Sequence, residues 1–347
     1  MGVSTGTETV TIYGRTIVLR NETRRVDQLR LNPNNPRLGH ESFVKGKTLT
    51  EDDLQKKIWA MDATKKLYQT VFGSGGIQNP LYVKESGLVI EGSRRTVVAL
   101  QIKANVESDE LSGENAARAR EIINNIPVKV LPNDVSDKEI DILLAREHIS
   151  GKHKWPAVDQ AKHIYKMHNI DAFPIETIAE VTERSRPWVY QKLKAFEWTE
   201  KYLRSNPKSN IDDYSYFEEL YKKATALKKQ ANFDPNDPDD LKDFHRWISA
   251  GKIPMAIDIR KLPAVLTDPD GRKVLESDGV EKAWIVTKTR NPRIASSTFQ
   301  ALATATEALQ KIPRDEYLDI PQDTAKRQML FELYNEIDKV LKDLNLR

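Results

Sequence analysis

The chain has 347 residues, with 54 Lys and Arg against 51 Asp and Glu, so a formal net charge of +3 excludes a polycationic nucleic-acid-coating protein and makes any basic surface local. Apolar residues at 39% and charged residues at 30% fit a helix-leaning globular chain, and at about 150 residues per domain the length predicts two or three domains. Zero Cys excludes disulfide frameworks, Cys-ligated zinc, iron–sulfur clusters and thiol catalysis; with no apolar signal-type core at the N-terminus and no run of about 18 apolar residues, the reading is a cytoplasmic protein without a membrane partner.

In chain order, the alternation from Glu8 to Arg20 around Gly14 predicts a β-hairpin. A short strand, Val26 to Leu31, follows and runs into the Asn- and Pro-rich loop Asn34-Asn35-Pro36-Arg37. Thr50 before Glu51, Asp52 and Asp53 is an N-cap signal for a helix to about Val71, ended by Gly73 to Gly76. Leu81 to Lys84 and Leu88 to Glu91 alternate as strands, and the second meets Gly92-Ser93-Arg94-Arg95 and an apolar helix, Thr96 to Ile102. Ile126 to Leu131 predicts another strand and Asp137 to His148 a helix.

From Trp155 to about Arg204 the pattern is helical only, and helical spacing continues through Phe217, Leu220 and Tyr221. The acidic, Pro-containing run Asp234 to Asp240 predicts a loop. Ala283 to Lys288 is β-prone, and the final helix repeats apolar residues at Leu330, Leu333, Ile337, Val340 and Leu344, a spacing that suits packing on another helix.

The turn at Gly92 combines three anion-binding devices. Glycine permits close backbone approach, a helix N-terminus presents unpaired N–H groups, and guanidinium offers paired donors to phosphate oxygens. Two cations at a helix N-terminus without an anion are poorly placed, which favours a phosphate-bearing ligand over plain solvation. The six His are scattered, which speaks against a zinc site.

Residues Ile175 to Lys194 match a helix-turn-helix pattern: small Ala179 lets two helices approach, Val189 anchors the second, Ser185 caps it, and Pro187 sits in its first turn. From Arg184 to Phe196 there are four cations and no acid. That chemistry suits phosphates and base edges in a major groove. Arg186, Trp188 and Gln191 are read as base or groove contacts, and Ser185, Lys192 and Lys194, beside Arg184, as phosphate contacts. The plain alternative is a helical hairpin with a solvated basic face.

Three separated segments, the loop ending in Pro36-Arg37, the strands leading to Gly92-Ser93-Arg94-Arg95, and the Glu147-His148 helix end ahead of the helix-turn-helix, resemble in order and spacing the ParB partition-protein family over roughly residues 24 to 204. The resemblance implies an α+β N-terminal ParB/sulfiredoxin-like domain over 1–151 and an all-α helix-turn-helix domain over 152–206; beyond it, the helical spacing predicts a mostly helical C-terminal domain over 207–347 of unassigned role. It also implies CTP with Mg²⁺ at Arg37, Gly92, Ser93, Arg94, Arg95, Thr96, Glu147 and His148, with Glu147 on the metal side. Double-stranded DNA, a homodimer and a ParA-type ATPase are the implied partners. Ser93 stands where the family carries Glu, His148 where it carries Asn, and Ser150-Gly151 where it carries Gln-Arg. Since Mg²⁺ prefers oxygen donors, the His puts metal-assisted turnover in question. Weak CTP hydrolysis, a nuclease of this fold, and a regulator that has lost nucleotide binding are the alternative readings. Sulfiredoxin chemistry is excluded by the missing thiol.

Overall fold

The structure is a computed structural model and describes residues 6–12, 14–33, 49–151 and 154–346. Two compact units make it up, 1–260 and 261–347. Arg37 and the loop around it lie outside the described residues.

In the first unit, strands β1 (Gly6–Ile12) and β2 (Arg15–Arg24) form the predicted hairpin, with Gly14 at φ +79° in the turn. The predicted strand from Val26 is instead a 3₁₀ turn, Val26–Gln28, followed by the two-residue β3 (Arg30–Leu31). The cause is local: Gln28 Oε1 accepts a hydrogen bond from the Arg25 N–H at 2.9 Å, which curls the chain before it can extend.

Thr50 caps α1 (Glu51–Ala60) reciprocally. Its Oγ1 accepts from the Asp53 N–H at 3.1 Å, and the Asp53 carboxylate accepts from the Thr50 N–H at 3.2 Å. Such a cap contributes about 1 kcal/mol. The single helix predicted to Val71 is broken at Met61, whose ψ of 128° is extended, and α2 (Asp62–Ser74) starts afresh with an acid in its first turn.

Strands β4 (Leu81–Lys84), β5 (Leu88–Glu91) and β6 (Ile126–Leu131) fall where the sequence predicts them. The sheet order is β1-β2-β6-β4-β5-β3, with β4 parallel to β6, β3 parallel to β5, and the other pairs antiparallel. Helices α3 (Ser93–Glu107) and α4 (Gly113–Asn124) lie between β5 and β6 in the chain, and α5 (Asp137–Ala145) continues into a π-helical turn, Arg146–Ser150.

Strand alternation decides what each face of the sheet meets. Leu81, Val83, Val89, Val128 and Val130 pack with Val98 and Ile102 of α3 and Ala119 and Ile122 of α4. On the other side, Ile17, Leu19, Tyr82 and Ile90 share a core with Ile140 and Leu143 of α5, Ile164 of α6 (Ala157–Tyr165), Ile178 of α7 (Ile175–Val181) and Val189 of α8 (Arg186–Ser205). Packing is therefore continuous through residue 151, where the sequence suggests a domain boundary. Two further helices complete this unit, α9 (Tyr214–Ala231) and α10 (Pro238–Ser249). Part of the acidic run read as a loop is a cap, because Asp237 accepts from the Asp239 and Asp240 N–H groups.

The second unit is helical: α11 (Leu262–Thr267), α12 (Pro269–Asp278), α13 (Val280–Arg290), α14 (Pro292–Ala295), α15 (Ser297–Gln310), α16 (Arg314–Asp319) and α17 (Thr324–Asp343). The β-prone run Ala283 to Lys288 lies inside α13. Its neighbours Val280, Ala283 and Thr287 are buried at helical spacing, which overrides β-propensity. None of α15, α16 or α17 contributes a buried residue, so the apolar row from Leu330 to Leu344 is not covered. Among the described residues no helix is long and apolar enough to cross a membrane.

Candidate functional site

The Gly92 turn builds one wall of a cleft of about 410 Å³. Gly92 is the N-cap of α3 at φ +106°, and a Cβ there would sit 2.6 Å from Leu81 Cγ, so both backbone angle and space demand glycine. The first i→i−4 bond of the helix runs from the Thr96 N–H to the Gly92 carbonyl at 2.9 Å. The N–H groups of Ser93, Arg94 and Arg95 come before it and have no intrahelical acceptor. No acid lies in this first turn.

Strand register lays the floor. Glu91 of β5 pairs with Tyr82 of β4, and Tyr82 with Lys129 of β6, so three side chains form a row across adjacent strands. The Lys129 ammonium lies 5.5 Å from the Tyr82 ring centroid and 2.7 Å from Glu8 Oε2. The π-helical turn closes the far side. Gly151 completes it by donating its N–H to the Arg146 carbonyl at 2.9 Å, and a Cβ on Gly151 would meet the Glu147 carbonyl oxygen at 2.3 Å. Exposed Glu147 accepts the Tyr82 O–H at 3.1 Å, and buried His148 places Nε2 3.5 Å from Glu91 Oε1.

Gly92, Ser93, Arg94, Arg95, Glu147 and His148, chosen from the sequence, all line this cleft. Their roles differ. Arg94 makes no hydrogen bond or ion pair among the described residues and faces the cleft. Arg95 turns back: its Nη1 donates to the Asn79 carbonyl at 2.6 Å and the Pro80 carbonyl at 2.9 Å, and its Nη2 pairs with Glu91. Thr96 corrects the sequence reading, because it is fully buried and its hydroxyl donates to the Gly92 carbonyl at 3.2 Å, bracing the turn from beneath.

Burial opposes the charge on Glu91, but the hydrogen bond from His148 and the positive charge of Arg95 outweigh it and hold the carboxyl below its usual range. Burial first, then the Glu147 charge, pushes the Tyr82 phenol up, so it stays a proton donor. The Arg94 guanidinium, unpaired among the described residues, a helix N-terminus and Lys129, with carboxylates Glu91 and Glu147 beside them, suit an anion that also carries donor groups or a cation. Among the described residues no group of three or more His, Asp or Glu is placed to hold a metal by itself. Tyr82, Lys129 and Asn79 were not singled out from the sequence. The one signal for the first two was their place in alternating strands on the face opposite Leu81, Val83, Val128 and Val130.

The second candidate surface is the helix pair α7 and α8, which the sequence pattern reads as a helix-turn-helix. Buried Ala179 and Val189 sit where the pattern requires, and Ser185 caps α8 by accepting from the Trp188 N–H at 3.4 Å. The turn lacks glycine and bends through Glu183 at φ +51°, while the buried Thr182 hydroxyl donates to the Ile178 carbonyl at 2.6 Å. Arg186 is exposed and 3.3 Å from Glu176 Oε1, a surface pair that exchanges readily. Gln191 is half-buried, and Lys194, also half-buried, pairs with Glu197 at 2.7 Å.

Lys192 departs from the reading as a phosphate contact. It is 4% exposed, its ammonium is 2.7 Å from Glu218 Oε1 of α9, and it lies over the rings of Trp188 and Tyr214. Half-buried Trp188 packs on the core between the cations of Arg184 and Lys192, each 5.4 Å from its ring centroid. Arg184 donates to the Ile149 carbonyl at 3.5 Å, tying the turn to the segment that carries Glu147 and His148.

No family model matches the chain, and no curated protein matches its sequence. Solved structures that it matches include the C-terminally truncated chromosome-partitioning protein ParB from Caulobacter crescentus complexed to the centromeric parS site, at 14% identity and TM-score 0.31, covering 70% of this chain and 98% of that one. A Pnob8-like ParB-N domain matches at 11% identity and TM-score 0.39, over 75% of this chain and 98% of that one. The truncated Caulobacter crescentus ParB complexed with CTP-gamma-S matches at 16% identity and TM-score 0.21, over 58% of this chain and 97% of that one. The chain is similar to these ParB structures at a level that leaves its function to be argued from its own residues.

Proposed function

We propose that the chain is a ParB-like DNA-binding protein, acting in partition or regulation of a plasmid, phage or chromosome, whose N-terminal cleft takes a nucleoside triphosphate and whose helix-turn-helix engages duplex DNA. The observation that carries this reading is the convergence of Gly92, Ser93, Arg94, Glu147 and His148 on one cleft, with Arg94 unpaired among the described residues at a helix N-terminus. Phosphate oxygens supply the anion that this arrangement lacks.

CTP is the nucleotide that the sequence resemblance nominates. Mg²⁺ at phosphate sites commonly takes one or two carboxylates together with substrate oxygens, and exposed Glu147 fits that role as a single carboxylate ligand. Bound there, the ion would neutralise phosphate charge. The chain's own part is to present the N-terminus of α3 and Arg94 to the phosphates, and to keep Tyr82 protonated and Glu91 ionised beneath them. A homodimer and a ParA-type ATPase partner are proposed on the resemblance alone.

Measuring duplex DNA affinity by fluorescence anisotropy with and without CTP and Mg²⁺ tests the reading. Nucleotide should change the affinity or lifetime of the complex in the wild type and not in Arg94→Ala. Identical binding under all conditions would remove nucleotide control, and release of inorganic phosphate would add hydrolysis to the function.

A further inference from the structure

We infer that Tyr190 is the base-reading side chain of the recognition helix and that it reads the methyl group of thymine. This rests on the DNA-binding reading above and deepens it. Along α8 the inward positions are settled by burial: Val189, Lys192, Leu193 and Phe196 are all buried. The outward edge carries Arg186, Tyr190 and Lys194, spaced one helical turn apart.

Tyr190 is 50% exposed, the only exposed large hydrophobic residue on α8. Among the described residues it has no hydrogen-bond or ring partner. It lies between two cations that, among the described residues, each pair with one carboxylate, Glu176 for Arg186 and Glu197 for Lys194. Cations at either end of such a row suit phosphates on the two groove walls, whereas an aromatic ring between them has nothing to offer a phosphate except its hydroxyl. In a major groove the apolar feature is the thymine C5-methyl, and an aromatic face is complementary to it. Trp188, the aromatic that the sequence alone suggested for this task, is packed on the core between Arg184 and Lys192.

The test uses the full-length chain and a duplex that the wild type enriches from a randomised pool. Each thymine is then replaced in turn by deoxyuracil, which deletes only the methyl group. At one or more positions the wild type should lose affinity by about three- to tenfold. Tyr190→Ala should bind the parent duplex about as weakly and no longer distinguish thymine from uracil there. Tyr190→Phe should still distinguish them, because the ring and not the hydroxyl makes the contact. A wild type indifferent at every thymine, or a Tyr190→Ala variant that keeps the discrimination, overturns the assignment while leaving DNA binding intact. Discrimination lost in Tyr190→Phe would assign the contact to the hydroxyl and overturn the methyl reading. Failure to enrich any duplex overturns the DNA-binding reading itself.

Discussion

His148 Nε2 lies 3.5 Å from Glu91 Oε1, joining the π-helical turn after α5 to the last residue of β5. The imidazole is also stacked on Trp155, with ring centroids 4.4 Å apart and planes at 15°, so its position is fixed from behind. Glu91 stays ionised through this contact and through Arg95. Because its pKa is lowered in the folded state, the stability it contributes is complete above the unfolded carboxylate value and is lost as the pH falls through the folded one. His148→Ala should raise the Glu91 pKa, as followed by carboxyl ¹³C chemical shift. An unchanged titration would show that Arg95 alone sets it.

Arg94 and Arg95 are adjacent in sequence but should separate function from stability. Arg94→Ala should leave urea stability within about 0.5 kcal/mol, since the side chain has no partner among the described residues to lose. Arg95→Ala takes the guanidinium from two backbone carbonyls and leaves Glu91 with His148 alone of its two cleft partners, and should cost about 1–3 kcal/mol. Equal losses in both variants would contradict the different geometry.

Gly92→Ala combines a left-handed backbone with a Cβ pressed against Leu81. A destabilisation of about 1–3 kcal/mol is expected in urea unfolding. A neutral result would mean that the turn is not held at this angle.

Lys192 and Lys194 of α8 should behave oppositely. Lys194→Ala should lower DNA affinity and reduce the slope of log affinity against log salt by about one. Lys192→Ala leaves Glu218 without its buried partner and should cost stability with an unchanged salt slope. A reduced slope for Lys192→Ala would return it to the DNA-contacting face.

His163 supplies the pH dependence. It is 1% exposed, its Nε2 is hydrogen-bonded to the Asp141 carbonyl at 2.9 Å, and burial pushes its imidazole down to about 4. The unfolded chain takes up a proton there below about pH 6.5 and the folded chain does not, so stability falls by ~1.4 kcal/mol per unit as the pH drops from about 6.5 towards 4. Asp141, pushed up by burial against the pull of Lys166, shifts stability in the opposite sense over the same range. Comparing urea stability against pH for the wild type and His163→Phe isolates the histidine. The variant's slope of stability against pH should be lower by one proton, so that the Asp141 contribution shows uncancelled, and equal slopes would contradict a neutral buried imidazole.

What the sequence made legible follows from how local the signals are. Strands β4, β5 and β6 are short runs of β-branched, aromatic and aliphatic residues flanked by Gly, Pro or Asn, and the capping box at Thr50 is written within four residues. The Gly92 turn was readable because glycine and two cations at a helix start are a local contradiction that a ligand resolves. Lys192 was misread because charge says nothing of facing, and its partner Glu218 comes from another helix. Tyr82 and Lys129 enter the cleft only through strand pairing between segments separated by two helices. The helix at Ala283 was hidden by β-propensity, although the spacing of Val280, Ala283 and Thr287 already carried the helical period.

The most direct measurement of the central claim is a calorimetric titration of CTP with Mg²⁺ into the full-length chain and into Arg94→Ala. The geometry predicts saturable one-site binding by the wild type and a loss of at least about tenfold in Arg94→Ala, as expected for a charge-assisted phosphate contact. Binding of equal strength in the variant, or none of any nucleoside triphosphate by the wild type, would contradict the assignment of this cleft.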